Sequence, residues 1–421
     1  MNVQLRIESI VHGGEGLGRT DGRVVFVAGS APGDLVLAEL PEGARELRGR
    51  LLSVLEPGPS RVVPPCPIVG QCGGCPLQQL GAAAQREAKA ALVVDALARI
   101  GGYAAGSYRL EALVPSPLEY RYRRRARLHR GPAGSWGFSA RASDRVVPVG
   151  ECLLFEPGLQ SFADAVRAAI AEQGGLPEVT DLGLDLSDRG AGSLDLRTAR
   201  PAGAALRKRA EALLAKVPKL RGLTLGMAGA AEFLGDPVIA DSPAPARFRT
   251  RADLFSQANR TATPHLVRAA LEALGAEANG RVLELYCGSG TFTLPLLETA
   301  RHVTGVESSA ASLSLLRRSA TEAGLDANDK LRLIAGDAVK VALPAADAVL
   351  LDPPRTGAAG LIPRLAALAP RRIVYVSCDA PSFARDAKLL AARGYRLERL
   401  TPFDLFPQTA HLELVAIFTP V

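Results

Sequence analysis

The sequence predicts an α/β protein: a doubly wound, mostly parallel, Rossmann-like sheet preceded by a small β-barrel and a mixed α+β region. Three observations carry this expectation. From residue 281 onward the apolar runs "RVLELYC", "HVTGVE", "LRLIAG", "AVLLD", "RIVYVSC" and "LELVAIF" are mostly separated by helical patterns, the mark of βαβ units. The first run leads into a glycine turn and a helix, "CGSGTFTLPLL". Residues 1–56, by contrast, read as short strands punctuated by Gly and Pro, the spacing of a small OB-like barrel.

A chain of 421 residues, 48% of them hydrophobic, is long enough for several domains with sizeable cores. We expect a barrel at 1–56, a central domain at 57–245 and the sheet domain at 246–421. "LEPGPSRVVPPCP" and the Pro-rich "PVIADSPAPARF" mark the two boundaries. Residues 82–100 have helical spacing. The formal charge of +7 and pI near 9.2 suggest an anionic partner, nucleic acid first. Only seven of the 50 basic residues are Lys. Arg suits bidentate phosphate contacts, although a GC-rich genome accounts for most of that bias. No apolar run approaches the roughly 18 residues of a membrane span, and the N-terminus lacks a signal-peptide pattern. A cytoplasmic, monomeric protein with no membrane part is expected. Its six cysteines are then ligands, nucleophiles or core thiols rather than disulfides.

In the glycine turn, Gly288 and Gly290 let the backbone approach a ligand at a helix N-terminus. "GSGTFT" lacks the third glycine of the dinucleotide fingerprint. Glu307 ends the next strand, about 20 residues on, where a carboxylate can hold ribose hydroxyls. Asp337 ends the third strand and Asp352 the fourth. Any one such acid can be an ordinary helix cap; three at successive strand ends line one crevice. That pattern favours a nucleoside cofactor, and the spacing suits S-adenosylmethionine better than NAD.

Cys66, Cys72 and Cys75 in "CPIVGQCGGCPLQQ", with Cys152 in "VGECLLF", make a C-x5-C-x2-C group with a distant fourth thiol. Gly73 and Gly74 free the backbone to wrap a compact site. Four thiolates can hold zinc or a [4Fe–4S] cluster, and spacing alone leaves both open. Between Cys75 and Cys152, "EYRYRRRARLH" alternates as a strand would. On that reading Arg121, Arg123, Arg125 and Arg127 share one face, and Tyr120 and Tyr122 the other. Interleaved basic and aromatic residues suit single-stranded RNA. A solvated charged strand is the plainer reading of any single Arg.

"FSQANR", "LELYCGSGTFTLPL", "LDPPRTG", "VYVSCD" and "DLFPQTAHLELVAIF", in that order, resemble the bacterial RNA 5-methyluridine methyltransferases. Residues 1–56 resemble the TRAM barrel carried by many of them. The resemblance spans nearly the whole chain and implies S-adenosylmethionine-dependent methylation of uridine C5 in ribosomal or transfer RNA. A TRAM barrel together with a cysteine cluster leans the choice towards 23S rRNA. It also implies cofactor contacts from Gln257, Tyr286, Thr291, Glu307, Asp337 and Asp352, and it tips the cysteine site towards [4Fe–4S], as a structural or RNA-positioning group.

That chemistry needs a thiolate to add to C6 of uracil, because C5 is a poor nucleophile, and a base to remove the C5 proton afterwards. Of the two cysteines in the sheet domain, Cys287 lies inside the glycine turn as a packing residue. Cys378 sits at the crevice end of a strand. On its own it reads as a buried core thiol; in this context it is the nucleophile, the role the resemblance also implies. The helix after it would supply positive potential. The resemblance assigns the base to Glu413, two residues after His411. Arg355 of "DPPR" meets phosphate, the uracil carbonyls or a carboxylate partner, and the target base must leave its stack. One departure stands out: the family usually carries Pro two residues after the nucleophile, and this chain has Ala380 there and Pro381 next. The alternatives are an RNA-binding protein of the same fold without catalysis and an RNA cytosine-5 methyltransferase, whose extra cysteine "LDPPRTG" lacks.

Overall fold

The computed structural model describes residues 1–41, 47–227, 229–242, 248–326 and 329–421. The expected boundary between residues 245 and 246 lies outside them. The chain opens with β1 (Asn2–Ile10), β2 (Glu15–Thr20), β3 (Arg23–Ala28), β4 (Leu35–Glu39) and β5 (Leu47–Glu56). They close into a barrel in the order β1-β2-β3-β5-β4. Alternation puts Leu5, Ile7, Val25, Val27, Val36 and Ala38 inside, as period-2 patterning demands. Asp34 ties the barrel to the segment after β5: its buried carboxylate accepts from Gly58 N (2.8 Å) and Arg61 Nη2 (2.6 Å).

After the cysteine-bearing segment comes α1 (Ala82–Ala96), ending in one wider turn at Leu97–Gly101. β6 (Arg109–Leu110) leaves the central region and joins the far edge of the large sheet, parallel to its neighbour. The central sheet comprises β7 (Arg125–Arg130), β8 (Trp136–Ser139), β9 (Val146–Pro148), β10 (Val179–Leu186), β11 (Gly192–Thr198), β12 (Leu220–Met227) and β13 (Ala230–Gly235). Their order is β13-β12-β11-β10-β7-β8-β9. Helices α2 (Pro157–Glu172) and α3 (Ala204–Lys216) cover it, burying Phe162, Val166 and Leu213 against Leu184, Leu194 and Leu223. The paired strands β14 (Ile239–Asp241) and β15 (Phe248–Thr250) lead out of this region.

The last part contains α4 (Thr263–Leu274), β16 (Arg281–Leu285), α5 (Thr293–Thr299), β17 (His302–Glu307), α6 (Ala310–Glu322), β18 (Leu331–Ala335), β19 (Ala348–Leu351), α7 (Ile362–Leu368), β20 (Arg372–Ser377), α8 (Ala380–Ala391), β21 (Tyr395–Phe403) and β22 (Glu413–Pro420). With β6 they form an eight-stranded sheet, β18-β17-β16-β19-β20-β22-β21-β6. All six expected strands are present. The sequence reading missed β21, whose apolar residues Tyr395, Leu397 and Leu400 alternate with Arg and Glu on an outer strand. The sheet is not wholly parallel: β22 runs antiparallel to both neighbours. Two cores flank it. Leu266, Leu294, Leu316 and Val374 fill one face. Leu283, Leu351, Tyr375, Phe383 and Val93 of α1 fill the other.

Candidate active site at the edge of the large sheet

Parallel register brings the strand ends together. Leu285 pairs with Val306 and with Leu351, and Leu351 with Tyr375, so β16, β17, β19 and β20 finish at one edge. Because β22 is antiparallel, its first residue arrives where the others leave, with Leu414 opposite Ser377. Cys378 and Glu413 therefore flank one pair of neighbouring strands, and Asp352 lies at the end of the next strand across.

The glycine turn is built for close approach. Tyr286, Gly288 and Gly290 have φ of 63°, 54° and 99°, a region that costs a non-glycine residue strain. A Cβ on Gly290 would lie 2.4 Å from Leu316 of α6, whereas one on Gly288 would meet nothing within 4 Å, which leaves room beside the turn. The Glu307 carboxylate accepts from Gly288 N (3.1 Å) with one oxygen and from Ser309 N (2.8 Å) with the other. Asp337 accepts from Val339 N (2.9 Å), a capping bond within its own turn. Burial, then the charges of Asp337, Asp386 and Glu307, pushes the Tyr286 hydroxyl up. Thr291 is half-buried beside them, and Gln257 is buried. Cys287 lies in the core, its sulfur packed against Gly305.

At the reacting end, the Cys378 thiol is pushed up to about 12 by burial and by Glu413, Asp352 and Asp379, with Arg355 opposing. Glu413 is 3% exposed, and its Oε2 has no hydrogen-bond partner. Burial and the Asp352 charge raise its carboxyl well above the usual range. Burial lifts Asp352 to about 7. Arg355 Nη2 donates to His411 Nε2 (3.1 Å), and burial together with that guanidinium holds His411 down to about 4. Arg355, His411 and Gly73 line one cavity of about 1040 Å³ that reaches the barrel at Gly13 and Arg48. Asp379 caps α8 by accepting from Ser382 N (2.9 Å). The helix thus begins at Ala380, immediately past the Cys378–Asp379 pair, and Pro381 falls in its first turn, where a missing N–H costs nothing. The Ala380 departure leaves this turn regular.

The four cysteines line a second cavity, of about 90 Å³, together with Arg123 and Gln78. All are free thiols. Among the described residues, no three His, Cys, Asp or Glu side chains already stand in a metal-holding arrangement. Gly73 lets the segment lie on the β8–β9 hairpin, with its N donating to Ser139 O (3.0 Å).

The expected arginine strand is corrected. β7 begins only at Arg125, and Arg121 has φ of 58°, outside any strand. Arg121 pairs with Glu151 at 2.5 Å, Arg123 faces the cysteine cavity, and Arg127 pairs with Asp195 at 2.8 Å. Arg125 donates to Leu254 O (2.6 Å). Tyr122 is fully buried and donates to Pro407 O (2.9 Å), so it offers no stacking face. The reason is tertiary: residues 121–124 bridge 153–154 and 258 through main-chain bonds.

Sequence reasoning missed two residues here. Arg124, fully buried between Asp185 (2.6 Å) and Asp241 (2.8 Å), donates to Gln257 O (3.1 Å) and so fixes the "FSQANR" loop. Nothing in the strand pattern distinguishes it from its neighbours. Glu284 accepts from Thr293 Oγ1 (2.6 Å), and burial raises it to about 8. An acid inside an apolar strand was the signal.

A twisted, mainly parallel sheet with a glycine turn after its central strand and acids at successive strand ends defines a class, the nucleoside-binding transferases of the S-adenosylmethionine type. The solved structure of a Pyrococcus abyssi tRNA (uracil-54, C5)-methyltransferase with S-adenosyl-L-homocysteine has the same fold (TM-score 0.76, 23% identity, 99% of both chains). The tRNA (uracil-5-)-methyltransferase family model matches residues 239–419 and the TRAM domain model residues 2–52. A 23S rRNA (uracil(1939)-C(5))-methyltransferase, RlmD, of Pectobacterium atrosepticum is 33% identical over 431 residues, 99% of this chain and 93% of that protein. An uncharacterized RNA methyltransferase of Thermosynechococcus vestitus is 32% identical over 438 residues, 99% of this chain and 98% of that one. The chain belongs to the S-adenosylmethionine-dependent RNA uracil-C5 methyltransferases, with an N-terminal TRAM domain. Among the described residues no helix is long and apolar enough to cross a membrane.

Proposed function

We propose that this enzyme methylates C5 of one uridine in 23S rRNA, with Cys378 as nucleophile and Glu413 as base. The observation that carries the residue assignment is their placement at the facing ends of paired strands β20 and β22, with Asp352 one strand away. The Cys378 thiolate adds to uracil C6, and the electron pair moves to the C5–C6 enolate. S-adenosylmethionine, when bound, would supply the methyl group that C5 takes up, its S–CH3 bond breaking so that S-adenosylhomocysteine leaves. Glu413, as carboxylate, then removes the C5 proton, the C5–C6 double bond re-forms, and the thiolate leaves. The open space beside Gly288 supports a nucleoside held by Gln257, Tyr286, Gly288, Gly290, Thr291, Glu307, Asp337 and Asp352. The RNA runs through the cavity shared by the barrel, Arg355 and His411.

Cys66, Cys72, Cys75 and Cys152 around one small cavity fit a group that takes four thiolates. We assign it as a [4Fe–4S] cluster with a structural or RNA-positioning role; no step of the methylation passes through it. The protein is read as a cytoplasmic monomer of three domains, 1–56, 57–245 and 246–421. Incubation with labelled S-adenosylmethionine and total RNA from cells lacking the enzyme should place label at C5 of a single uridine in 23S rRNA. Label only in transfer RNA would redirect the substrate, and no label at uracil C5 would overturn the reading. Iron and sulfide in equal amounts, with visible absorption bleached by air, are expected; one zinc per chain would replace the cluster.

A further inference from the structure

α1 turns an unusual face inward. Its buried residues include Gln85 and Lys89, one turn apart, and the Lys89 side chain is 0% exposed. A buried ammonium is costly unless paired and hydrogen-bonded. Lys89 Nζ donates to Asp404 Oδ1 (2.6 Å) and to Phe406 O (3.0 Å). Gln85 grips Gln408 twice: its Nε2 donates to Gln408 Oε1 (2.9 Å), and its Oε1 accepts from Gln408 N (2.9 Å).

Both partners lie in the strap Asp404–Leu412, which links β21 to β22 and ends at Glu413. The clamp is reinforced from the same side. Leu77 N donates to Gln408 O (3.1 Å), Tyr122 Oη to Pro407 O (2.9 Å) and Asn259 Nδ2 to Leu405 O (2.7 Å). Five consecutive strap residues are therefore held by side chains or main chain from outside the large sheet. Gln408 has φ of 72°, a strained setting that persists only where its surroundings over-determine it. Glu413 Oε2, in contrast, has no partner of its own. Its orientation rests on the main chain, which sheet pairing fixes on one side, with Glu413 opposite Phe403 and Leu414 opposite Ser377, and which the strap fixes on the other.

We infer that Gln85 and Lys89 are positioning residues for the proton-abstraction step: by clamping the strap they hold the Glu413 carboxylate over uracil C5. This rests on the reading of Glu413 as the base. Misplacement of a reacting group by about 1 Å costs on the order of 100-fold in rate. A displaced Glu413 should slow release of the Cys378 adduct without affecting its formation.

The test uses full-length Gln85→Leu and the double variant Lys89→Met/Asp404→Asn, which removes both charges so that neither is left buried alone. Each is mixed with unmethylated 23S rRNA transcript and S-adenosylmethionine, beside wild type and Glu413→Gln. We expect kcat to fall about 100-fold, KM for RNA to stay within about threefold, and a denaturation-resistant protein–RNA adduct to accumulate as in Glu413→Gln. Wild-type rates, or a fall in kcat with no adduct, would overturn the inference while Glu413→Gln still accumulates one. No adduct in Glu413→Gln would instead overturn the assignment of the base itself.

Discussion

The edge of the large sheet and the cysteine cavity both present thiols that burial pushes up, Cys378 and Cys75 alike to about 12, but the groups around them differ. Around Cys378 the acting charges are the carboxylates of Glu413, Asp352 and Asp379, with Arg355 opposing. Around Cys72, Cys75 and Cys152 they are the neighbouring thiols and the Arg123 guanidinium, and main-chain N–H groups reach Cys72 and Cys152. Donors and a cation suit sulfurs that remain anionic under a metal. A ring of acids suits a thiol that stays protonated until a substrate arrives, because a permanent thiolate there would be repelled by its own catalytic partner. On the proposed assignments, the two regions separate a thiol that reacts from thiols that hold.

The sharpest way to break this comparison is to delete one thiol from each region. Cys378→Ala should lower methyl transfer on the order of 10⁶-fold, the scale of losing a covalent nucleophile. It should leave the visible absorption of the cluster and the affinity for S-adenosylmethionine unchanged by titration calorimetry. Cys75→Ala should do the reverse, losing the absorption while retaining an adduct with 5-fluorouridine RNA. Equal loss of activity without loss of absorption in both variants would erase the distinction.

A smaller effect is expected in the pH profile. With the thiol held up to about 12, the thiolate fraction of the free enzyme rises about tenfold per pH unit through the neutral range, and kcat/KM should rise with it. The Arg355 charge lowers this thiol's pKa, so Arg355→Ala should displace the profile to higher pH and reduce kcat/KM at every point. Rates measured from pH 6 to 9 check this. A plateau below pH 7 would mean that the carboxylate ring does not govern the nucleophile.

The same contrast explains how well each region was legible. Strand-end acids, the glycine turn and Cys378 were readable because a parallel sheet fixes where strand ends go once the strands are recognised. The inverted strand β22 brings Glu413 to the same edge, and no local pattern reports strand direction. The arginine run misled because local alternation was outweighed by tertiary contacts: residues 121–124 take their main-chain partners from 153–154 and 258, and Tyr122 is locked beneath the strap. Lys89 and Gln85 were invisible for a related reason. A polar residue on an Ala-rich helix looks solvent-facing until its partner, more than 300 residues away, is in place.

The smallest expected effect concerns stability, where the acid-rich edge should carry a cost. The Glu413 carboxyl is raised in the folded state by burial and by Asp352, so ionising the catalytic carboxylate costs more in the folded protein than in the unfolded chain, which releases that proton near the ordinary 4.5. Stability then falls as pH rises past that value, since the unfolded state binds fewer protons. Glu413→Gln removes the ionisable group. Its melting temperature should exceed that of wild type by a few degrees at pH 8, and the two should converge at pH 4, where the wild-type carboxyl is protonated in both states. No such gap would be expected for Cys75→Ala at either pH once the cluster is removed from both proteins. If Glu413→Gln instead melts below wild type at pH 8, the carboxylate is stabilised by its surroundings. The acids at this edge would then support the fold rather than strain it.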